Sequence, residues 1–250
     1  MTPEDIKPGP ELGARLRGRE REAYVEALFD RIAAPYDRLN RIISLGRDRA
    51  WRRLVARLAG ARAGARLCDL GTGTGDLALV LARAAGREGL VVGVDLSQGM
   101  LEVARRKAEG CVAGRFVRAN AARTGLADGF ADAVCMGWVL RNVGDRPAVY
   151  REILRILRPG GRFVSVEMSR PRAAVPRLGF WLYRHLAMPV LVRCLGGDMD
   201  AYRYLARSTD AFPDAPDLEE ELRGAGFVNV FHRPLMGGAV AIHVGEKAAV

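Results

Sequence analysis

The sequence predicts an α/β protein: a mostly parallel sheet, doubly wound, with helices on both faces. Three observations carry that expectation. Strand-length apolar runs alternate with helical segments between residues 65 and 169. A turn with glycine at every second position, Gly71, Gly73 and Gly75 in CDLGTGTGD, follows the first of those runs. The chain ends in GFVNVFHRPLMGGAVAIHVGEK, two strand-like runs joined through PLMGG, which reads as an antiparallel hairpin added to the sheet.

In chain order, residues 1–18 hold three prolines and three glycines and are expected to be a flexible tail. From Glu20 to about Gly60, apolar residues recur three and four apart, the spacing of helices with one buried face, and Pro35 and Gly46 break the run. ARLCDL then reads as a buried strand and DLALVLARAAG as a helix. GLVVGVDL is the next strand, and SQGMLEVARRKAEG a helix with Ser97 as its N-cap. GRFVRAN is a short strand and ADAVCMGWVL the one after it. RPAVYREILRILRPGG reads as a helix closed by Pro and Gly, and RFVSVEMS as a strand. Residues 171–225 break the alternation with helical, partly apolar segments. The expected layout is one domain over 19–250: a helical cap (19–60), a cofactor-binding core (61–170), a helical insertion on the substrate side (171–225) and the C-terminal strands (226–250).

Composition narrows the function classes. The 250 residues carry a formal charge of +10, nearly all of it Arg, since Lys occurs only at 7, 107 and 247. No dense basic block and no basic-aromatic run of the kind RNA binders use is present, so the positive balance reads first as a solvated surface. Attraction to anionic lipid is the functional alternative. No uncharged apolar run is long enough to span a bilayer, and the polar N-terminus lacks the apolar centre of a signal peptide. Cys68, Cys111, Cys135 and Cys194 stand far apart, without metal-type spacing, as expected of thiols in a reducing cytoplasm.

The glycine turn lies where open α/β sheets bind ligands, beyond the carboxyl end of the first strand. A dinucleotide site wants G-x-G-x-x-G, with pyrophosphate on the helix N-terminus. Here the third glycine comes one residue early and Asp76 holds its place, an acid that would repel pyrophosphate. No Gly-Lys-Ser/Thr follows, which excludes a P-loop. Asp95, ending VVGVDL, can accept both hydroxyls of a ribose, and Asn120 with the Ala121 N–H can meet an adenine edge. A ribose acceptor, an adenine contact and an acid-flanked glycine loop without a phosphate-binding base fit a positively charged nucleoside, S-adenosylmethionine. The cofactor-binding expectation covers Asp69, Gly71, Thr72, Gly73, Thr74, Gly75, Asp95, Leu96, Asn120, Ala121 and Gly137.

The D-x-G-x-G-x-G pattern resembles motif I of class I methyltransferases, and Asp95 resembles their acidic residue on the next strand. That resemblance implies a Rossmann-like, seven-stranded sheet whose last strand is antiparallel. Four other stretches are more specific: LFDRIAAPYDRLNRIISLGRDRAWRR, WVLRNVGD, LRPGGRFVSVEMSRP and DAYRYLARSTDAFP. They resemble the menaquinone/ubiquinone biosynthesis C-methyltransferase family, from about residue 24 to Lys247. The resemblance implies methylation of a ring carbon of a polyprenylated quinol, with no metal. It implies cofactor contacts at Thr74, Asp95, Asn120 and Ala121, a catalytic pair at Arg141 and Asn142, and a contribution from Tyr36 and Asp37 on a helix closing over the site. The family usually reads Phe-Gly-Leu-Arg-Asn where this chain has Trp138, Val139, Leu140, Arg141 and Asn142. A family contact that can be Ser is Gly137 here, and EFSKP is EMSRP.

The chemistry explains these residue types. A quinol carbon beside a C–OH becomes nucleophilic when the hydroxyl loses its proton. A guanidinium is not readily deprotonated, so Arg141 is expected to stabilise the phenolate while Asn142 orients the quinol oxygen or a water. Asp37 and Glu167 are candidate final proton acceptors. His185, His232 and His243 are expected outside the chemistry. The segment 175–197 is expected to form part of the cap and to guide a polyprenyl tail. The acceptor expected is demethylmenaquinol, with a ubiquinone-precursor benzoquinol or a soluble aromatic metabolite as alternatives. The remaining expectations are a cytoplasmic protein at the inner face of an anionic membrane, no nucleic acid, and a homodimer.

Overall fold

The structure, a computed structural model, describes residues 16–111, 113–194 and 198–249. The flexible tail expected for 1–18 lies outside these except for its last three residues, and so do the end of the 175–197 segment and Val250. Three helices come first: α1 Gly18–Ile32, α2 Tyr36–Ile43 and α3 Asp48–Leu58. They break at Pro35 and at Gly46, whose φ of 73° favours a residue without Cβ.

The core then alternates as β1 Arg66–Leu70, α4 Asp76–Ala85, β2 Leu90–Asp95, α5 Gln98–Lys107, β3 Gly114–Arg118, β4 Ala131–Gly137, α6 Arg146–Ile156 and β5 Leu157–Met168. Helix starts follow side-chain caps. Ser97 Oγ accepts from the Met100 N–H (3.1 Å), and Asp145 Oδ1 accepts from the Ala148 N–H (3.0 Å) with Pro147 beginning the helix. The insertion contains α7 Ala174–Leu182, a π-helical turn Tyr183–Ala187, α8 Met188–Cys194, α9 Met199–Asp210 and α10 Ala215–Gly224. Pro189 offers no N–H to the His185 carbonyl, which accounts for the widened turn just before it. β6 Val228–Leu235 and β7 Val240–Glu246 complete the sheet.

Strand order is β3-β2-β1-β4-β5-β7-β6. β1 to β5 pair in parallel, while β7 runs antiparallel to both β5 and β6. The seven-stranded, doubly wound expectation holds, and the hairpin's second strand inserts between β5 and β6 rather than extending the edge. Alternation sets the two cores: Leu67 faces α3 and α4, while its neighbour Cys68 faces α6. One difference concerns residues 157–161, read from sequence as the helix end. Helix α6 stops at Ile156, and Leu157 already pairs with Ala131 across an irregular register. Pro159 disfavours helical backbone at Arg158, so the chain leaves the helix before the proline rather than at it.

Candidate active site

Strand order reverses between β1 and β4, and two cavities open beyond their carboxyl ends. The first, ≈ 810 Å³, is floored by the glycine loop. Gly71, Gly73 and Gly75 have φ of 67°, 53° and 82°, the left-handed region that suits glycine. They are not equivalent. A Cβ on Gly71 would lie 2.4 Å from Val139 Cγ2 and one on Gly75 2.9 Å from Ala104 Cβ, whereas at Gly73 it would meet no protein atom within 4 Å. Gly73 lines the cavity, so the space above it is left to a ligand.

Thr72 Oγ1 donates to Asp69 Oδ2 (2.7 Å), tying the loop to β1, and burial pushes the Asp69 carboxyl up to about 7 against that hydrogen bond. At the end of β2, Asp95 accepts the N–H groups of Gly73 (2.7 Å) and Ser97 (3.0 Å), and burial raises its pKa. Leu96, Asn120, Ala121 and Gly137 complete the expected lining. Asn120 Oδ1 accepts from the Ala122 N–H (2.8 Å). Beneath that loop Glu152 accepts from Thr124 N–H (2.7 Å) and Oγ1–H (2.6 Å), and the Arg155 hydrogen bonds hold its carboxyl down to about 2. The residues lining this cavity include Glu22, Glu26, Asp95 and Asp145 and no cation. That fits a sulfonium nucleoside and opposes a pyrophosphate.

The expected electrostatic role of Asp76 needs correction. Its carboxylate pairs with Lys107 and lies 3.4 Å from Arg52, and it does not line the first cavity. The acids facing the cavity come from α1, from Asp95 and from the Asp145 cap instead. Thr74 is buried and does not line the first cavity either: its Oγ1 donates to Asp37 Oδ1 (2.5 Å), and Lys107 Nζ reaches Asp37 Oδ2 (2.8 Å). Asp37 therefore ties α2 to the glycine loop and lines neither cavity.

The second cavity, ≈ 700 Å³, adjoins the first, and Tyr36 and Trp138 line both. Trp138 directly follows β4 with a φ of 60°, unusual for a bulky residue. Its N–H donates to Val166 O (2.8 Å), and the Arg52 guanidinium sits 5.4 Å from its ring centroid. After the turn that Trp138 begins, Asn142 lines the first cavity and Arg141 the second, and both line a third, ≈ 500 Å³, between α1 and α9. Asn142 Nδ2 donates to Trp138 O (3.1 Å), and Asn142 Oδ1 accepts from Tyr204 Oη (3.2 Å).

Arg141 is buried, with Nη1 3.6 Å from Glu167 Oε2. Glu167 Oε1 accepts the Val139 and Leu140 N–H groups, both at 2.8 Å. Arg141 Nε, Arg141 Nη1 and Glu167 Oε2 have no hydrogen-bond partner, a costly state for buried charged groups. Burial pushes the Glu167 carboxyl up to about 7, against the pull of Arg141.

Helix α1, part of the cap expected over 19–60, roofs the first cavity. Val25 and Phe29 of α1 cover it, and Asp30 Oδ1 pins that helix by accepting from Ser97 Oγ and the Gly99 N–H (3.0 Å). Helical periodicity shows that α1 buries a face but not what the face covers. Nor does the stretch DAYRYLARSTDAFP by itself show that Tyr204 reaches Asn142. The histidines lie elsewhere: His185 stacks on Trp181, His232 contacts Glu219, and His243 Nε2 lies 2.9 Å from Ala215 O with burial lowering its pKa to about 4.

A model of the ubiE/COQ5 methyltransferase family matches residues 18–247. A demethylmenaquinone methyltransferase of Symbiobacterium thermophilum is 39% identical over 255 residues, covering 99% of this chain and 98% of the relative. A ubiquinone/menaquinone biosynthesis C-methyltransferase UbiE of Hahella chejuensis is 37% identical, covering 92% and 93%. Among solved structures, a SAM-dependent methyltransferase from Aquifex aeolicus aligns with a TM-score of 0.57 at 14% identity, covering 97% of this chain and all of that one.

Proposed function

The chain belongs to the ubiE/COQ5 methyltransferase family, and we propose on that premise how its residues divide the work of methylating a quinol ring. It is an S-adenosylmethionine-dependent C-methyltransferase of menaquinol biosynthesis, with demethylmenaquinol as the acceptor. A ubiquinone-precursor benzoquinol is the second reading, favoured by the Hahella relative. The observation that supports the division of work is the buried Arg141, whose Nε and Nη1 lack hydrogen-bond partners beside an apolar cavity that adjoins the glycine-loop cleft.

The glycine loop, Asp95, Leu96, Asn120, Ala121 and Gly137 hold the cofactor, with Asp69, Thr72 and Thr74 supporting the loop. Bound there, the cofactor supplies an electrophilic sulfonium methyl. Tyr36 and Trp138 separate the two cavities and set the approach of the ring. The Arg141 guanidinium stays protonated and stabilises the quinol oxygen as it becomes anionic. Asn142, held between Trp138 O and Tyr204 Oη, fixes the backbone turn that aims Arg141. Glu167 is the better placed of the two candidate proton acceptors, because Oε2 is unpartnered and faces Arg141, whereas Asp37 is committed to Thr74 and Lys107.

The reading extends to the whole chain: one methyltransferase domain over 19–250, with cap, core, insertion and C-terminal strands divided near residues 60, 170 and 225. Among the described residues no helix is long and apolar enough to cross a membrane. A prenylated acceptor lives in lipid, so the enzyme works as a cytoplasmic protein at a membrane's inner face. A homodimer is part of the same reading.

The test is methyl transfer from radiolabelled S-adenosylmethionine to reduced demethylmenaquinone and to the reduced ubiquinone precursor, side by side in detergent. The naphthoquinol is expected to take the label. Arg141→Ala should lower kcat by about a hundredfold or more while cofactor affinity stays within about twofold. Label in neither quinol, with the cofactor still bound, would sink the acceptor assignment.

A further inference from the structure

The continuous helix from Ala174 to Cys194 has two faces. Its inner face gives Phe180 and Tyr183 to the acceptor cavity, and Tyr183 Oη donates to Ile43 O (2.6 Å), fixing the helix against the α2–α3 turn. Its outer face carries an apolar ridge at spacings of three and four: Val175, Leu178, Leu182, Leu186 and Val190. Val175 is 82% exposed, Leu178 60%, Leu186 59% and Val190 61%. Helical spacing that presents carbon to water is the reverse of what a core helix needs. Leu45, on the α2–α3 turn, is exposed as well. So is Met236, which also lines the acceptor cavity.

The charge around this ridge has one sign. From Arg170 to Gly197 the chain has five arginines and not one Asp or Glu. Arg170, Arg172 and Arg184 are spent on the Asp210 carbonyl, Asp214 and Asp210. Arg177 and Arg193 are exposed. Arg41, Arg49 and Arg53 from α2 and α3 line a separate wide groove, which Asp37 and Asp76 also line.

We propose that this outer ridge of the 174–194 helix is the enzyme's docking surface for an anionic lipid bilayer. The ridge enters the acyl boundary, the arginines meet the headgroup charge, and the acceptor cavity behind the same helix opens onto the bilayer. The ring of a prenylated quinol then reaches Arg141 while its tail stays in lipid. The last step rests on the quinol reading above; the docking itself does not.

The experiment is flotation with vesicles of phosphatidylcholine alone or mixed with phosphatidylglycerol, using the full chain and the double variant Leu178→Glu/Leu186→Glu. Both positions are solvent-exposed, and retained cofactor binding and an unchanged Tm check folding. The wild type is expected to float with the anionic vesicles and to release with salt, and the variant to stay behind. In the same vesicles, methylation of a prenylated quinol should fall about tenfold in the variant, with a tail-less quinol in solution unaffected. Equal flotation of both proteins, or no flotation of the wild type, overturns the proposal. A ridge-dependent dimer in light scattering, without flotation, also overturns it, in favour of a second copy of the chain. Normal ridge-dependent flotation with no quinol methylated leaves the docking standing and overturns the acceptor assignment instead.

Discussion

Gly71 and Gly73, two residues apart, should fail in opposite ways when a methyl is added. At Gly73 the added carbon points into the cofactor cavity and touches no protein atom. Gly73→Ala should therefore fold with a loss of about 1–2 kcal/mol, from the left-handed backbone alone, yet lose cofactor affinity by about tenfold or more. At Gly71 the carbon runs into Val139, so Gly71→Ala should cost more stability, and a second change, Val139→Gly, should restore part of it. Calorimetry of binding and thermal melts on the set decide the matter; equal affinity for Gly73→Ala would mean that the loop does not cradle the cofactor. Glu167 gives a second test at this scale. Its carboxyl is pushed up to about 7 by burial, so the ionised, proton-accepting form grows as pH rises through that value. Wild-type kcat should climb across pH 7 and level off above it. Glu167→Gln should lose the climb and about a hundredfold in kcat, with little change in KM. A variant that keeps the wild-type pH profile would place the proton acceptor elsewhere.

At the scale of elements, the roof is the part most open to perturbation. Helix α1 lies over the cofactor cavity and is fastened to the start of α5 by Asp30, with Glu26 paired to Arg118 as an exposed second tie. Exposed pairs contribute little, so of these two ties Asp30 is the stronger. Asp30→Ala should leave Ser97 capping its own helix, free α1, and raise both the cofactor off-rate and protease cleavage within α1, with a global loss of about 1 kcal/mol. An unchanged off-rate would mean that α1 is not a roof in solution. The same helix shows where the sequence stops being legible. Strand alternation, the Ser97 cap and the Pro35 and Gly46 breaks were readable because each is a local rule. The glycine loop, Asp95 and Asn120 were readable because strand ends converge in this fold. The task of α1 was not, because periodicity is silent about distant partners. Nor was the placement of Arg141 and Asn142 at these cavities, because it follows the left-handed turn at Trp138, which no rule predicts for tryptophan. Asp76 misled for a related reason: its two cations, Arg52 and Lys107, come from separate helices.

Across the whole molecule, the buried acids near the site set how stability responds to pH. Asp69 and Glu167 are both pushed up to about 7 by burial, whereas unfolded carboxyls ionise near about 4. Between those values the native state holds two protons that the unfolded chain has released. His243 opposes them: burial lowers it to about 4, so below its unfolded pKa of about 6.5 the unfolded chain holds one proton more than the native state. Among these three groups the balance from about pH 5 to 6.5 is one extra proton on the native side, so their contribution to stability falls as pH rises, by about 1.4 kcal/mol per unit, and Asp95, also raised by burial, acts in the same direction. Below about 4 the slope reverses, because the unfolded chain takes up a proton at Glu152 that the native state, in which Arg155 holds that carboxyl down to about 2, does not. The cofactor-free enzyme should therefore melt highest near pH 5 rather than at neutrality. Glu167→Gln removes one of the two retained protons and should flatten the decline above pH 5, and His243→Gln should steepen it. Melting curves of the three proteins across pH 4 to 8 test this. A wild-type optimum near neutrality, or an undiminished slope in Glu167→Gln, would show that Glu167 is ionised in the native state well below pH 7 and is not held back by its burial.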